Sequence, residues 1–383
     1  MQVDVVVIGA GISGASAAFE LSTGLSVLMV EAEAQPGYHS TGRSAALFTP
    51  NYGNGLVRAI NRASEPFFFK PPEGFAAHPL LTPRGAITVA GPGEEARLER
   101  VLAHSTPEHP VMLISARRAF ELAPLLRPER VAAAAHEPGV MDIDVAGLHQ
   151  GYLRGFKQKG GQLVCDHPVT RLTRAGGLWH VEAGDVRIAA TFVVNAAGAW
   201  ADHIGVLAGA EPIGLTPKRR TAIIVDAPGG MAVNGMPCVD FAGSDAYLKP
   251  DGGRIMASPG DQTPVEPHDV QPDDFEVAVL VDWLETETRL KVRRLSGSWA
   301  GLRSFVADEA PVAGFDPELE NFFWLAGQGG YGIMMAPALA QATAVLIQRG
   351  EISTALGDAG VLHEQLSPGR IANCAVLDMK LKD

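Results

Sequence analysis

Val3-Asp4-Val5-Val6-Val7-Ile8-Gly9-Ala10-Gly11-Ile12-Ser13-Gly14 stands near the start of the chain, and its reading decides the fold. A β-branched run, broken only by Asp4, empties into a turn with glycine at positions 9, 11 and 14. Ala15 to Leu21 follows with small residues at helical spacing, and Ser26 to Val30 is a second apolar strand that stops at Glu31. Gly9 permits the tight turn, Gly11 lets the backbone approach a pyrophosphate, and Gly14 lets the helix lie close against the strand. The free N–H groups and partial positive charge of the helix start suit phosphates. Glu31, twenty residues beyond Gly11, ends where a carboxylate can take two ribose hydroxyls and disfavours a 2′-phosphate. A bound dinucleotide other than NADP is expected.

The composition narrows the partners. With 31 basic and 43 acidic residues the net charge is −12, which opposes nucleic acid and anionic membranes. Cys165, Cys238 and Cys374 are too few and too scattered for a disulfide framework or a CxxC pair. The eleven histidines show neither HxH nor HExxH spacing, so no metal is expected, and no GxSxG elbow signals a serine hydrolase. Without a basic leader or an apolar run of spanning length, a cytoplasmic protein is expected, monomer or homodimer, with peripheral membrane contact left open.

Further along, helices are expected over Leu56 to Phe69, Glu94 to Ala103, Ser115 to Leu122, Asp144 to Lys159 and Asp273 to Leu290, with a last one starting near Pro337. Strands are expected at Leu80 to Val89, Val131 to His136, either side of Pro168, and at Thr191 to Val194 after a hairpin of Trp179 to Glu182 with Val186 to Ala189. Others are expected from Thr216 to Val225, at Tyr247 to Lys249, Ile255 to Ser258, Trp299 to Phe305 and Phe322 to Ala326. The fold expected is α/β, a Rossmann-like dinucleotide-binding domain from residues 1–50, 140–210 and 310–375, which the resemblance described next makes an FAD-binding one. An inserted α+β substrate domain with a large mixed or antiparallel sheet comes from 51–139 and 211–309, and 376–383 is a tail.

Together GAGISG with Glu31, HSTGRSAA, VVNAAGAWA, PKRR, GLRSF and GQGGYGI resemble the D-amino-acid oxidase (DAO) type of FAD-dependent oxidoreductase over nearly the whole length. Within that family QPGYHSTGRSAA, HPLLTPR, LHQGYLRG, YLKPD, PVEPHDVQP and WAGLRSFVAD are most similar to the bacterial D-arginine dehydrogenases. The resemblance implies non-covalent FAD, since none of the cysteines falls where covalent relatives carry the link. It assigns Gly9, Gly11, Gly14 and Glu31 to the ADP half, and Thr41, Gly42, Arg43, Ser44 and Ala45 to the pyrophosphate and ring. Val169 goes to the adenine side, Ala197 and Gly198 also to the cofactor, and Gly329, Gly330, Tyr331, Gly332 and Ile333 to the isoalloxazine.

The implied reaction is hydride transfer from the α-carbon of a D-amino acid to flavin N5, giving an imine and then a 2-keto acid. Electrons leave to a quinone, a carrier or O2. Arg303 matches the carboxylate-binding arginine, a role for which a planar guanidinium is suited. Tyr247 matches a second carboxylate contact, Arg220 a further basic position, and Tyr52 a pocket-covering loop tyrosine.

Leu47 replaces the histidine, and Ala86 the side-chain-binding glutamate, of the D-arginine enzymes, while Cys238, Gly330 and Met334 also fall in the pocket. Losing that anion disfavours D-arginine, so an apolar or modestly polar side chain is expected, with Asp240 a candidate replacement charge. The alternatives are oxidation of a 2-hydroxy acid or of a secondary amine acid of the sarcosine, glycine or proline kind, and a flavin-binding subunit without turnover.

Overall fold

The computed structural model describes residues 1–229 and 231–371. Cys374 and the expected 376–383 tail lie outside them. Gln2–Ile8 forms the centre of a parallel sheet, with Val27–Val30 on one side and Val186–Asn195 on the other. Gln162–Val164 extends it beyond the former and Phe322–Ala326 beyond the latter. Val5 to Ile8 and Val27 to Val30 are all buried, as continuous apolar strands must be when both faces are covered. Val5, Val7, Val27 and Met29 pack under the helices Ile12–Leu21, Val145–Gln158 and Gly332–Arg349. Val6, Ile8, Leu28 and Val30 pack under the ribbon Val169–Ala175/Leu178–Ala183 and the helix Ala201–Ala208.

Two expectations change here. Val186 to Ala189 and Thr191 to Val194 are one strand, antiparallel to Leu178–Ala183 in its first half and parallel to Phe322–Ala326 in its second; no glycine or proline interrupts it. The last helix begins at Gly332, so Pro337 sits in its interior rather than its first turn. A proline there removes one intrahelical bond, and the next N–H, that of Ala338, donates instead to Ser64 Oγ at 3.1 Å. The hydroxyl that makes this tolerable lies on another helix, Gly55–Phe69.

An eight-stranded sheet forms the second layer, in the order Gly297–Phe305, Thr216–Asp226, Arg254–Ser258, Tyr247–Asp251, Cys238–Phe241, Ala86–Ala90, Ala133–Glu137, Met112–Ser115. Neighbours are antiparallel except Cys238–Phe241 with Ala86–Ala90. The edge strand Met112–Ser115 is unexpected from sequence, being too short and exposed to carry an alternating pattern. Ile223, Val225, Val239 and Leu248 bury one face against Leu280 and Leu284 of the helix Asp274–Glu287. That helix ends three residues before the expected Leu290, where the Thr288 hydroxyl donates to the Leu284 carbonyl.

With a side-chain period of two, the opposite face carries Arg220, Tyr247 and Asp240. A three-stranded sheet of Leu47–Phe48, Met141–Ile143 and Leu81–Pro83 sits beside it. Asp142 on its middle strand accepts from Lys249 Nζ at 2.7 Å and Arg84 Nε at 2.6 Å, tying it to the large sheet. No helix among the described residues is long and apolar enough to cross a membrane.

Candidate active site

A cleft of about 490 Å³ opens at the carboxyl ends of the parallel strands. It runs from Glu31, Glu33 and Val169 past Gly9, Gly11, Thr41, Ala197 and Gly198 to Gln328, Gly329 and Gly332. A second cleft of about 100 Å³ shares Ile12, Thr41, Gly329 and Gly332 with it and continues to Ala45, Arg220, Tyr247, Arg303, Gly330 and Ile333. The helix Gly332–Arg349 begins where the two meet, so its positive end faces the shared lining.

The three turn glycines differ in how much space surrounds them. Gly9 has φ +97, and a Cβ there would stand 2.5 Å from the Ala196 carbonyl oxygen, while one on Gly14 would overlap the Gly9 carbonyl oxygen. A Cβ on Gly11 meets only Thr41 Oγ1, at 3.3 Å, which leaves the cradle open on the cleft side. Glu31 Oε2 accepts the Ala10 N–H at 2.7 Å and Oε1 the Glu33 N–H at 3.0 Å, so the carboxylate braces the turn as well as ending the strand. Thr41 Oγ1 accepts the Ile12 N–H at 2.9 Å. Gln328 Nε2, on the cleft wall, is buried with no acceptor among the described residues. An open glycine cradle and an orphaned buried donor along one elongated cleft fit the FAD that the resemblance implies.

His149 is a residue the sequence reading did not single out. Its Nε2 lies 2.9 Å from the Ala10 carbonyl oxygen, beneath Gly37. Burial holds its pKa below the ordinary value, against opposing pulls from the Ala10 carbonyl and Glu31. The ring is therefore neutral near pH 7 and donates Nε2–H, a tautomer assigned from the acceptor. A histidine harder to protonate when folded stabilises the fold above its unfolded pKa of about 6.5 and loses that contribution as pH falls below it. His149→Gln should thus give a melting temperature that falls less steeply between about pH 7 and pH 5 than the wild type's; equal slopes would remove His149 from the account.

The 41–45 stretch lines the second cleft, but the Arg43 guanidinium reaches elsewhere. It donates to the Val270 carbonyl at 3.1 Å and the Ala300 carbonyl at 3.0 Å and pairs with Asp269. Trp299 Nε1 donates back to the Arg43 carbonyl at 2.9 Å. Arg43 thereby clamps the loop to the large sheet, and Ser44 and Ala45 are held against the cleft beside it.

Arg303 and Arg220 stand on paired strands, with Arg220 opposite Gly301 and Arg303 opposite Lys218. Among the described residues neither guanidinium has an ion-pair partner, and Arg220 Nε is buried without an acceptor. Burial, then the neighbouring Arg303, holds the Arg220 pKa below its ordinary value. A Cβ on Gly330 would stand 2.9 Å from Arg303 Nη1, so the guanidinium lies over bare backbone at the cleft's end. Tyr247 lines the same end, and Tyr52, 51% exposed, packs on Tyr331 with ring centroids 5.2 Å apart. Burial pushes the Tyr331 phenol up to about 12, leaving it a donor and not a base at neutral pH. Two unpaired guanidiniums and a phenol form an anion site suited to a carboxylate.

The remaining expected pocket residues line neither cleft. Leu47 pairs with Asp142, and the Met334 sulfur accepts the Thr49 N–H at 3.2 Å. Asp240 stands opposite Tyr247, and Ala86 lies between Cys238 and Glu137 in one cross-strand row. Burial raises Asp240 to about 6, a Thr88 hydrogen bond opposing and the Glu137 charge adding.

Comparison with known proteins shows the family and the fold. The profile of the DAO family, described as FAD dependent oxidoreductase, matches residues 4–346. Mitochondrial dimethylglycine dehydrogenase from Mus musculus is 25% identical over 379 residues, covering 91% of this chain and 43% of that protein. The chain thus spans less than half the length of that relative. Glycine oxidase from Geobacillus kaustophilus is 24% identical over 368 residues, covering 91% of this chain and 93% of that protein. The crystal structure of L-proline dehydrogenase from P. horikoshii matches with a TM-score of 0.80 at 24% identity over 97% of this chain and 98% of that one, a common fold.

Proposed function

This chain belongs to the DAO family of FAD-dependent oxidoreductases, and we propose that within it the chain oxidises the C–N bond of an amino acid, a D-amino acid first. The substrate loses a hydride from its α-carbon and a proton from its amine, and water converts the imine to a 2-keto acid and ammonia. FAD, held non-covalently in the long cleft, supplies the two-electron acceptor and passes the electrons on to a quinone, a carrier or O2.

The observation that carries the reading is the pair of guanidiniums, Arg303 and Arg220, left without carboxylates where the second cleft ends. A substrate carboxylate fills that vacancy in charge and shape. Tyr247 supplies a third donor, and Tyr52 against Tyr331 covers the mouth from water. No side chain need act as a base if the amine enters neutral. The likeness to dimethylglycine dehydrogenase and L-proline dehydrogenase favours a secondary or tertiary amine acid as the second reading.

Anaerobic mixing with D-amino acids, their L-enantiomers, sarcosine, proline and 2-hydroxy acids tests it. Bleaching of the flavin band by D-amino acids is expected; bleaching by hydroxy acids alone, or by nothing in the panel, would overturn the assignment.

A further inference from the structure

Beyond Tyr247 the inner face of the large sheet turns acidic. Asp240 is the cross-strand partner of Tyr247, and Glu137 lies two strands further on, beside Ala86. The pleat puts all of them on the face that carries Arg220. Asp240 keeps part of its surface open, yet its Oδ1 is sealed and meets no donor among the described residues. Glu137 receives the Asn51 amide at 3.0 Å, and burial raises its pKa.

Asp142, by contrast, holds both Lys249 and Arg84. Cations are thus within this layer but are spent elsewhere, and of the Asp240 carboxylate, which only Thr88 supports, the sealed Oδ1 is left without a donor among the described residues. Such a group costs stability until something donates to it. Its neighbours on this face, Cys238 and Ala86, are small and carry no charge.

We propose that Asp240, with Glu137 behind it, is a specificity-determining residue that receives a hydrogen-bond donor, an ammonium above all, at the end of a short substrate side chain. The inference rests on the reading that Arg303, Arg220 and Tyr247 hold a substrate carboxylate. Cross-strand partners stand about 5 Å apart, so a donor that meets Asp240 sits only a few bonds beyond an α-carbon anchored near Tyr247. A guanidinium on a long stem overshoots that distance. An apolar side chain leaves the carboxylate buried and unpaired, which discriminates against it.

The test uses the holoenzyme and rates of anaerobic flavin reduction with side chains matched in length, D-2,3-diaminopropionate and D-serine against D-2-aminobutyrate. The diaminopropionate rate should exceed the aminobutyrate rate by about tenfold or more at equal subsaturating concentration. In Asp240→Ala that ratio should collapse towards one, and Asp240→Asn should lose the ammonium preference while keeping the hydroxyl one. Because burial and the Glu137 charge outweigh the one Thr88 hydrogen bond to the carboxylate, Asp240→Asn should also raise the melting temperature. An unchanged ratio in Asp240→Ala, a wild-type preference for aminobutyrate, or a lower melting temperature in Asp240→Asn overturns this inference alone. Failure of every amine to reduce the flavin overturns the C–N oxidation reading, and this inference with it.

Discussion

Replacing Arg303 by methionine is expected to lower kcat/KM for the amino-acid substrate by two to three orders of magnitude, equivalent to about 3–4 kcal/mol. Methionine keeps much of the stem volume and removes the fork that makes two parallel bonds to a carboxylate. Arg220 remains, but its Nε is sealed and burial still disfavours its charge once Arg303 is gone, so one guanidinium cannot replace two. Arg303→Lys should recover only part of the loss, because an ammonium is a point charge without the planar geometry. Flavin content per protein separates lost substrate binding from lost cofactor. A change of less than about threefold in Arg303→Met would mean that the carboxylate is held elsewhere.

The second large effect is expected at the glycine turn, where two neighbouring substitutions should behave differently. A methyl at Gly14 overlaps the backbone oxygen of Gly9, which cannot swing aside as a side chain can. The helix must move off the first strand, at about 3 kcal/mol or more. Gly14→Ala should therefore lower the melting temperature even of the apoprotein and weaken FAD binding by about 100-fold or more. Gly11→Ala meets only Thr41 Oγ1, at 3.3 Å, so its cost should fall on cofactor binding while the apoprotein melts near the wild-type temperature. Fluorescence titration with FAD and thermal melts of both apoproteins check this. If Gly11→Ala destabilises the apoprotein as much as Gly14→Ala, the division between packing and phosphate approach is wrong.

Much of the site was legible because its residues sit in short motifs whose chemistry is local. Glycine at 9, 11 and 14 with an acid at 31 suggests a dinucleotide turn without tertiary knowledge, and the structure lays Gly9, Gly11 and Glu31 along one cleft with Gly14 packed behind them on Gly9. Val169 at the far end, and Gly329, Gly330 and Gly332 at the near one, join them there. Arg43 was harder: nothing in HSTGRSAA tells that its guanidinium leaves the loop for Asp269 and the Val270 and Ala300 carbonyls. His149 lies within LHQGYLRG, yet nothing in that string tells its role, since its partner is a backbone carbonyl across the fold. Pro337 misled for a related reason: proline favours a first turn by default, and only Ser64 on another helix makes the interior position workable.

What the sequence determined by itself was the order of strand, turn, helix and acid, because periodicity, glycine freedom and the position of a carboxylate are set within about thirty residues. It also named in advance the two arginines and the tyrosine, Arg220, Arg303 and Tyr247, that meet at the second cleft. The tertiary structure alone decided which of those charges find partners. Asp142 takes Lys249 and Arg84, while Arg303 and Arg220 find no carboxylate and Asp240 Oδ1 no donor among the described residues, because pairing depends on register between strands far apart in sequence, and a one-residue shift would turn each of these side chains to the other face.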